Sequence, residues 1–327
     1  MEHLVSIHDL TVQELELILD LSRAMKAHPG RYRGALSRMT LAMIFQKPST
    51  RTRVSFQVGI HQLGGMGMVL GFNDLQLGRG ETVQDTARVL SRYVDGIMAR
   101  VFAHADVEQL AASSVVPVIN GLSDLLHPCQ AICDYFTMWQ RFGTLEGLKV
   151  VYVGDGNNVA HSLALGAAKL GVNLVICTPS KDYEPNHDVI AQARKDAEET
   201  KAAIEVSNDP REAVAGAHVV YTDVWTSMGQ EEEAQRRRKD LAAFQVNIDL
   251  FNRADKDAIF MHCLPAHRNE EVTDEVADHP RSVIFDQAEN RLHTQKAVMT
   301  LLMGEAEDIR TRQFPRPPGL TMEGRQD

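Results

Sequence analysis

The sequence predicts an α/β protein of two doubly wound parallel-sheet domains. Its 327 residues are about twice the ~150 expected of one domain. A rhythm of apolar run, polar loop and helical stretch recurs along the first 142 residues, and strands that alternate with helices mark parallel crossover units. The rhythm stops at Gly143 and Gly147 and restarts at Lys149, which sets the domains at 1–142 and 147–290.

In the first unit, residues 11–26 carry Val12, Leu15, Leu17, Ile18, Leu19 and Leu21 behind Thr11 as N-cap, an amphipathic helix. Leu41-Ala42-Met43-Ile44-Phe45 is the first strand, followed by the polar turn Lys47-Pro48-Ser49-Thr50 and a helix over 51–62. The pattern repeats as a strand at 67–70 with a helix over 82–93, and as a strand at 96–99 with a helix over 107–113. Pro117-Val118-Ile119-Asn120 makes a fourth strand and 130–142 a long helix. The second unit predicts strands at 149–153, 173–177, 218–221, 258–261 and 283–285, a helix over 161–170 and a final helix from about 291. The end of the chain, about 311–327 with Phe314-Pro315-Arg316-Pro317-Pro318-Gly319, has little to bury and is expected to be disordered.

Composition narrows the function. With 34 Lys plus Arg against 44 Asp plus Glu, the net charge is −10 and no basic stripe is present. Nucleic acid is therefore not an expected partner, and any anion site must be local. No apolar run reaches the ~18 residues of a membrane span, and Met1-Glu2-His3-Leu4 opens without a basic or apolar leader, so no membrane partner and a cytoplasmic location are expected. The four cysteines, Cys129, Cys133, Cys177 and Cys263, make no C-x-x-C pair. They are expected to be reduced thiols, with no structural metal.

Five constellations carry chemistry. Lys47-Pro48-Ser49-Thr50-Arg51-Thr52-Arg53 sits between a strand and a helix. Free N–H groups at a helix start, hydroxyls and forked guanidinium groups suit a phosphate-like dianion, although an exposed basic turn reads the same way. His127-Pro128-Cys129-Gln130 sets an imidazole and a carboxamide three positions apart at a helix head, where an ordinary turn is the plain alternative. Val153-Gly154-Asp155-Gly156-Asn157-Asn158 invites a dinucleotide reading, but Val159 stands where the third Gly belongs, and Cys177-Thr178-Pro179 lacks the ribose-binding acid. Asp223-Val224-Trp225-Thr226-Ser227-Met228-Gly229 follows a strand with a carboxylate and a hydroxyl four residues apart. His262-Cys263-Leu264-Pro265 follows another, placing a thiol where open α/β sheets bind ligands, though most buried strand-end thiols are inert.

In this order and at these separations, Ser-Thr-Arg-Thr-Arg, His-Pro-Cys-Gln, Asp-x-x-x-Ser-Met-Gly and His-Cys-Leu-Pro resemble the ornithine carbamoyltransferases, over about residues 1–303. Gln46 and Gln57 depart from many relatives without touching a ligand position. The resemblance implies two domains joined by long interdomain helices, the C-terminal helix at about 291–310 packing back onto the first. It implies carbamoyl transfer from carbamoyl phosphate to L-ornithine, with no metal or organic cofactor. Ser49, Thr50, Arg51, Thr52 and Arg100 would hold the phosphate. Arg51, Thr52, His127, Gln130 and Arg291 would bind the carbamoyl end.

On the same footing, Asn158, Asp223, Ser227 and Met228 would bind ornithine, and Cys263 and Leu264 would face the reacting amine and the carbamoyl group. Arg51, His127, Asp223 and Cys263 make up the implied catalytic set. Gln76 would serve a neighbouring subunit's site, which requires a homotrimer. The stretch Ala266-His267-Arg268-Asn269-Glu270-Glu271-Val272-Thr273 resembles biosynthetic members, so arginine biosynthesis is expected. The alternatives are a catabolic member, a transferase for a related amine, a nicotinamide dehydrogenase and a catalytically silent relative.

Overall fold

The computed structural model describes residues 1–71, 74–76, 80–226 and 231–304. Helix α1 (Val12–Ala27) starts where Thr11 closes a capping box: its Oγ1 accepts from Glu14 N at 3.1 Å, and Glu14 Oε2 accepts from Thr11 N at 2.9 Å. Strands β1 (Thr40–Phe45), β2 (Met66–Gly71), β3 (Gly96–Arg100) and β4 (Val118–Leu122) form a parallel sheet in the order β2-β1-β3-β4. Helices α2 (Thr50–Gln62), α3 (Val83–Leu90) and α4 (His104–Ser113) make the crossovers, and α5 (Pro128–Phe142) leaves the sheet and ends at Gly143 with φ 75°. A left-handed C-cap of this kind suits glycine.

The second sheet is also parallel. Strands β5 (Lys149–Val153), β6 (Asn173–Cys177), β7 (Ile204–Ser207), β8 (Val219–Thr222) and β9 (Ile259–His262) run in the order β7-β6-β5-β8-β9. Helices α6 (Asn158–Leu170), α7 (His187–Asp196), α8 (Pro210–Val214), α9 (Ala234–Leu241), α10 (Ile248–Phe251) and α11 (Asp274–Ala277) flank it. Helix α12 (Ile284–Met303) packs on α1, α2 and α5 of the first unit and on β9 of the second. One continuous apolar core runs from β1 and α1 through α5 and α12 to β5 and β6. Separate clusters cover the far face of each sheet.

Two expectations are corrected. Ile284 and Phe285 open α12 rather than belonging to a strand, so the helix begins seven residues earlier than the expected 291. Its buried face is polar, with Gln287, Asn290, Arg291, Thr294, Gln295 and Lys296, so apolar periodicity is absent where the helix starts. The segment between 178 and 217 holds α7, β7 and α8, which the sequence reading left out. Strand β7 is short, and only Ile204 of its four residues is buried. The expected disordered tail lies outside the described residues, as does the stretch 305–310 assigned to the last helix.

In both sheets the strand order reverses near the centre, between β1 and β3 and between β5 and β8. Crevices open beyond the carboxyl ends of strands at such reversals. The segments after β1, β4, β5, β8 and β9 carry the motifs, and Arg100 is the last residue of β3.

Candidate active site

The first wall of the site forms where β1 gives way to α2. Ser49 caps that helix, its Oγ accepting from Thr52 N at 3.2 Å, so Thr50, Arg51 and Thr52 occupy the first turn. Thr50 is exposed, Arg51 half-buried and Thr52 buried. Arg100 ends β3 at a register slip against β4: it pairs with Leu122, and the register passes over Gly121, where a Cβ would stand 2.5 Å from Met98 Sδ. The bulge redirects the strand end, and Arg100 is buried beside the turn.

His127 is the N-cap residue of α5, and α12 brings in Arg291. Arg291 Nη1 donates to Gln130 Oε1 at 2.5 Å and Nη2 to Thr52 Oγ1 at 3.2 Å. Arg100 Nε, Arg291 Nε and His127 Nδ1 are buried without a hydrogen-bond partner. Burial, then the charges on Arg291 and Arg51, push Arg100 down to about 10. Burial, then Arg291, Arg100 and Arg51, hold His127 well below the usual histidine range, so its imidazole is neutral at pH 7. Buried cations that depress one another in this way make a pocket suited to an anion.

The second wall comes from the other sheet. Asp223, after β8, accepts on Oδ1 from Cys263 Sγ at 2.9 Å and from Val224 N at 2.8 Å, and on Oδ2 from Asn157 Nδ2 at 2.7 Å. Burial and Asp223 push the Cys263 thiol well above its ordinary value, so it is a protonated donor rather than a nucleophile. Beyond Cys263 the chain is held by a buried pair. His262 Nε2 lies 3.0 Å from Glu271 Oε1, and His262 Nδ1 accepts from Leu264 N at 2.9 Å. Leu264 takes φ 58°, a conformation unusual for a side chain of its size, and its own amide bond to His262 restrains it there. Asp223, His262 and Cys263 bring ligand atoms within 4.8 Å of one another. Both nitrogens of His262 are already engaged, which leaves the trio unsuited to a metal.

The two walls face each other. Burial lowers Arg51, its nearness to Cys263 and the Asp223 carboxylate of the second wall counters this, and Arg291 adds to the lowering. Arg51, Thr52, Arg100, His127, Gln130, Arg291, Asp223 and Cys263 thus converge. Asn158 serves the junction, its Nδ2 donating to Ser123 O at 2.6 Å, while His127 N donates to Ser162 Oγ at 2.8 Å. Gln76 is exposed and bonds no residue of this cluster, and Ser227 and Met228 lie outside the described residues.

The dinucleotide reading loses its cradle. Gly156 N donates to Tyr183 O at 2.8 Å, and a Cβ on Gly156 would stand 2.4 Å from Pro185 N, so the chain itself fills the space beside that turn.

Two family models divide the chain at the same place as the two sheets. The carbamoyl-P binding domain of aspartate/ornithine carbamoyltransferase matches residues 2–140, and the Asp/Orn binding domain matches 146–302. The chain belongs to the aspartate/ornithine carbamoyltransferase family. Within this family, an ornithine carbamoyltransferase of Thermococcus kodakarensis is 61% identical over 91% of this chain and 95% of its own. An anabolic ornithine carbamoyltransferase of Pyrococcus furiosus is 58% identical over 92% of this chain and 96% of its own. The solved ornithine carbamoyltransferase structure from Pyrococcus furiosus superposes with a TM-score of 0.89 at 57% identity, covering 92% and 97% of the two chains.

Sequence reasoning missed Asn157, Glu271, Asp134 and Gln287. Asn157 lay inside the glycine turn read for dinucleotides, yet it caps α6 and anchors Asp223. Glu271 was visible only as part of a stretch resembling biosynthetic members. Asp134 sits on a stretch of α5 buried on every side, where no polar face singles it out, and Gln287 sits on the polar buried face of α12, just past a segment read as a strand.

Proposed function

We propose that this chain transfers the carbamoyl group of carbamoyl phosphate to the side-chain amine of L-ornithine, giving L-citrulline and phosphate in arginine biosynthesis. The convergence of Arg51, Arg100 and Arg291 opposite the Asp223–Cys263 pair carries this reading. One wall suits a phosphate dianion and its carbonyl, and the other suits an amine. Residues 1–142 would hold carbamoyl phosphate and 147–290 ornithine.

Ser49, Thr50, Arg51, Thr52 and Arg100 take the phosphate. His127, Gln130 and Arg291, with Arg51 and Thr52, polarise the carbamoyl oxygen as it gains charge. Asn158, Ser227 and Met228 bind the amino-acid end of ornithine. Asp223, Cys263 and Leu264 direct its distal amine at the carbamoyl carbon. That amine attacks in its neutral form, although an amine of this type titrates near ~10.4 in water. The nitrogen lone pair forms the new C–N bond, the C–O bond to phosphate breaks, and the proton shed by nitrogen balances on the departing phosphate. Cys263, held as a thiol, orients the amine together with Asp223 and does not accept the proton.

The working assembly is a homotrimer in the cytoplasm. Edge strand β2 exposes Met66 and Met68, and α2 beside it exposes Val54 and Val58. An uncovered edge with apolar neighbours suits a second copy of the chain. Gln76 lies just past the carboxyl end of that strand, on the side where the anion pocket opens, so an adjoining copy would bring it to the neighbour's site.

With carbamoyl phosphate and ornithine supplied, citrulline and phosphate should appear in equal amounts. Phosphate release without citrulline would overturn the transfer reading.

A further inference from the structure

Between the two walls lies a buried carboxyl group that the reaction does not touch. Asp134 is fully buried on α5, one turn beyond Gln130. Its Oδ1 accepts from Gln130 Nε2 at 2.8 Å and from Gln287 Nε2 at 2.7 Å, and its Oδ2 accepts from Tyr221 OH at 3.1 Å. Gln287 Nε2 also donates to Tyr221 OH at 3.1 Å, and Gln287 Oε1 accepts from His262 N at 3.0 Å. Three elements from different parts of the fold, α5, α12 and β8, therefore meet at one carboxyl group.

The connections lead to both substrate positions. Toward the anion pocket, Gln130 Oε1 takes Arg291 Nη1 at 2.5 Å because Asp134 has already engaged the Nε2 side of the amide. Toward the amine wall, Gln287 holds the backbone nitrogen of His262, the residue before Cys263. Tyr221 lies on β8, two residues before Asp223, and its ring stacks on Tyr152, with centroids 5.7 Å apart. An amide in this setting has only one orientation that satisfies both ends. Reversing Gln130 would turn its NH₂ toward the Arg291 guanidinium and its carbonyl toward Asp134.

We infer that Asp134 is a positioning residue that couples the two half-sites, fixing the amides of Gln130 and Gln287 so that occupation of the anion pocket sets the loop that presents Cys263 and Asp223 to the amine. This rests on the proposed reading of which substrate fills which wall. Asp134 itself meets no substrate. A buried carboxyl group without a paired cation is a costly way to fill a core, and here every lone-pair direction it uses serves an amide or hydroxyl that leads to the site.

The test reads coupling rather than rate. Phosphonoacetamide, in which a methylene replaces the bridging oxygen of carbamoyl phosphate, and norvaline, which is ornithine without the reacting amine, are titrated by calorimetry separately and together. Coupling between two ligands is reciprocal, so each should tighten the other by the same factor, about tenfold or more in the wild-type protein. Asp134→Ala should bind phosphonoacetamide alone within about threefold of wild type yet lose the mutual tightening. Asp134→Asn can still offer an acceptor to both glutamine amides and a donor to the Tyr221 oxygen, and should retain most of it.

If Asp134→Ala does not fold, Gln287→Met serves. It leaves the Asp134–Gln130 bond in place, cuts the path to His262, and should abolish the tightening. Undiminished tightening in Asp134→Ala or Gln287→Met would overturn the relay, as would equal loss in Asp134→Asn and Asp134→Ala. An absence of mutual tightening in the wild-type protein would instead count against the proposed substrate positions.

Discussion

Arg51→Ala is expected to lower kcat by about a hundredfold or more, since one charged contact to the transferring group is worth ~3 kcal/mol in the transition state. Arg51 has an environment that spans both walls, with Cys263 and Asp223 on one side and Arg291 on the other. The fold should survive the change. The side chain is half-exposed, and the first turn of α2 is secured by Ser49 and Thr52. Steady-state turnover, with circular dichroism to confirm the fold, gives the answer. Turnover near wild type would remove Arg51 from the catalytic set, and with it the assignment of the turn after β1 to the phosphate.

The second large effect is a recovery. Gln76→Ala and Arg51→Ala are each expected to be inactive, because one lacks the residue lent to a neighbour and the other lacks a working pocket. After subunit exchange between the two, some interfaces pair an intact Gln76 loop with an intact pocket. Random assortment in a closed ring of head-to-tail contacts makes this true of about a quarter of the sites, so about a quarter of wild-type activity should return. With exchange confirmed by native mass spectrometry, a mixture that stays inactive would mean that each site is built from one chain. Gln76 would then belong to an ordinary surface loop.

How much of this was legible beforehand depended on contrast. Apolar runs such as Leu41-Ala42-Met43-Ile44-Phe45 and Lys149-Val150-Val151-Tyr152-Val153 stand out against polar loops, and each became a central strand. The residues just past such runs, Arg51, Asp223 and Cys263, could be singled out because parallel sheets place ligands beyond those strand ends. The interdomain helices offered no such contrast. In α12 the buried side carries Gln287, Asn290 and Arg291, since these face partners that are themselves polar. A helix buried by another polar network shows no apolar stripe, and its start was read as a strand.

The same lack of contrast hid Asp134. Helix α5 is buried from Pro128 to Met138, so a carboxyl group in its middle has no exposed neighbours to mark it. Its role depends on Tyr221 and Gln287, residues 87 and 153 positions away along the chain. Spacing within one helix cannot show such partners. Asn157 was hidden differently: the glycines on its N-terminal side drew attention to a phosphate turn, whereas its side chain caps α6 and turns toward Asp223.

The measurement that bears most directly on the central claim is a comparison of amines at saturating carbamoyl phosphate, with L-ornithine, putrescine, N-acetylornithine and aspartate offered in parallel. A site that recognises the amino-acid end while Asp223 and Cys263 direct a distal amine should favour ornithine over each of the others by about a hundredfold or more in kcat/KM. Discrimination of this size is reached when a buried polar group in the site would otherwise be left unpaired. Equal or better turnover of aspartate, N-acetylornithine or putrescine would contradict the assignment of ornithine to the wall built by Asp223, Cys263 and Asn158.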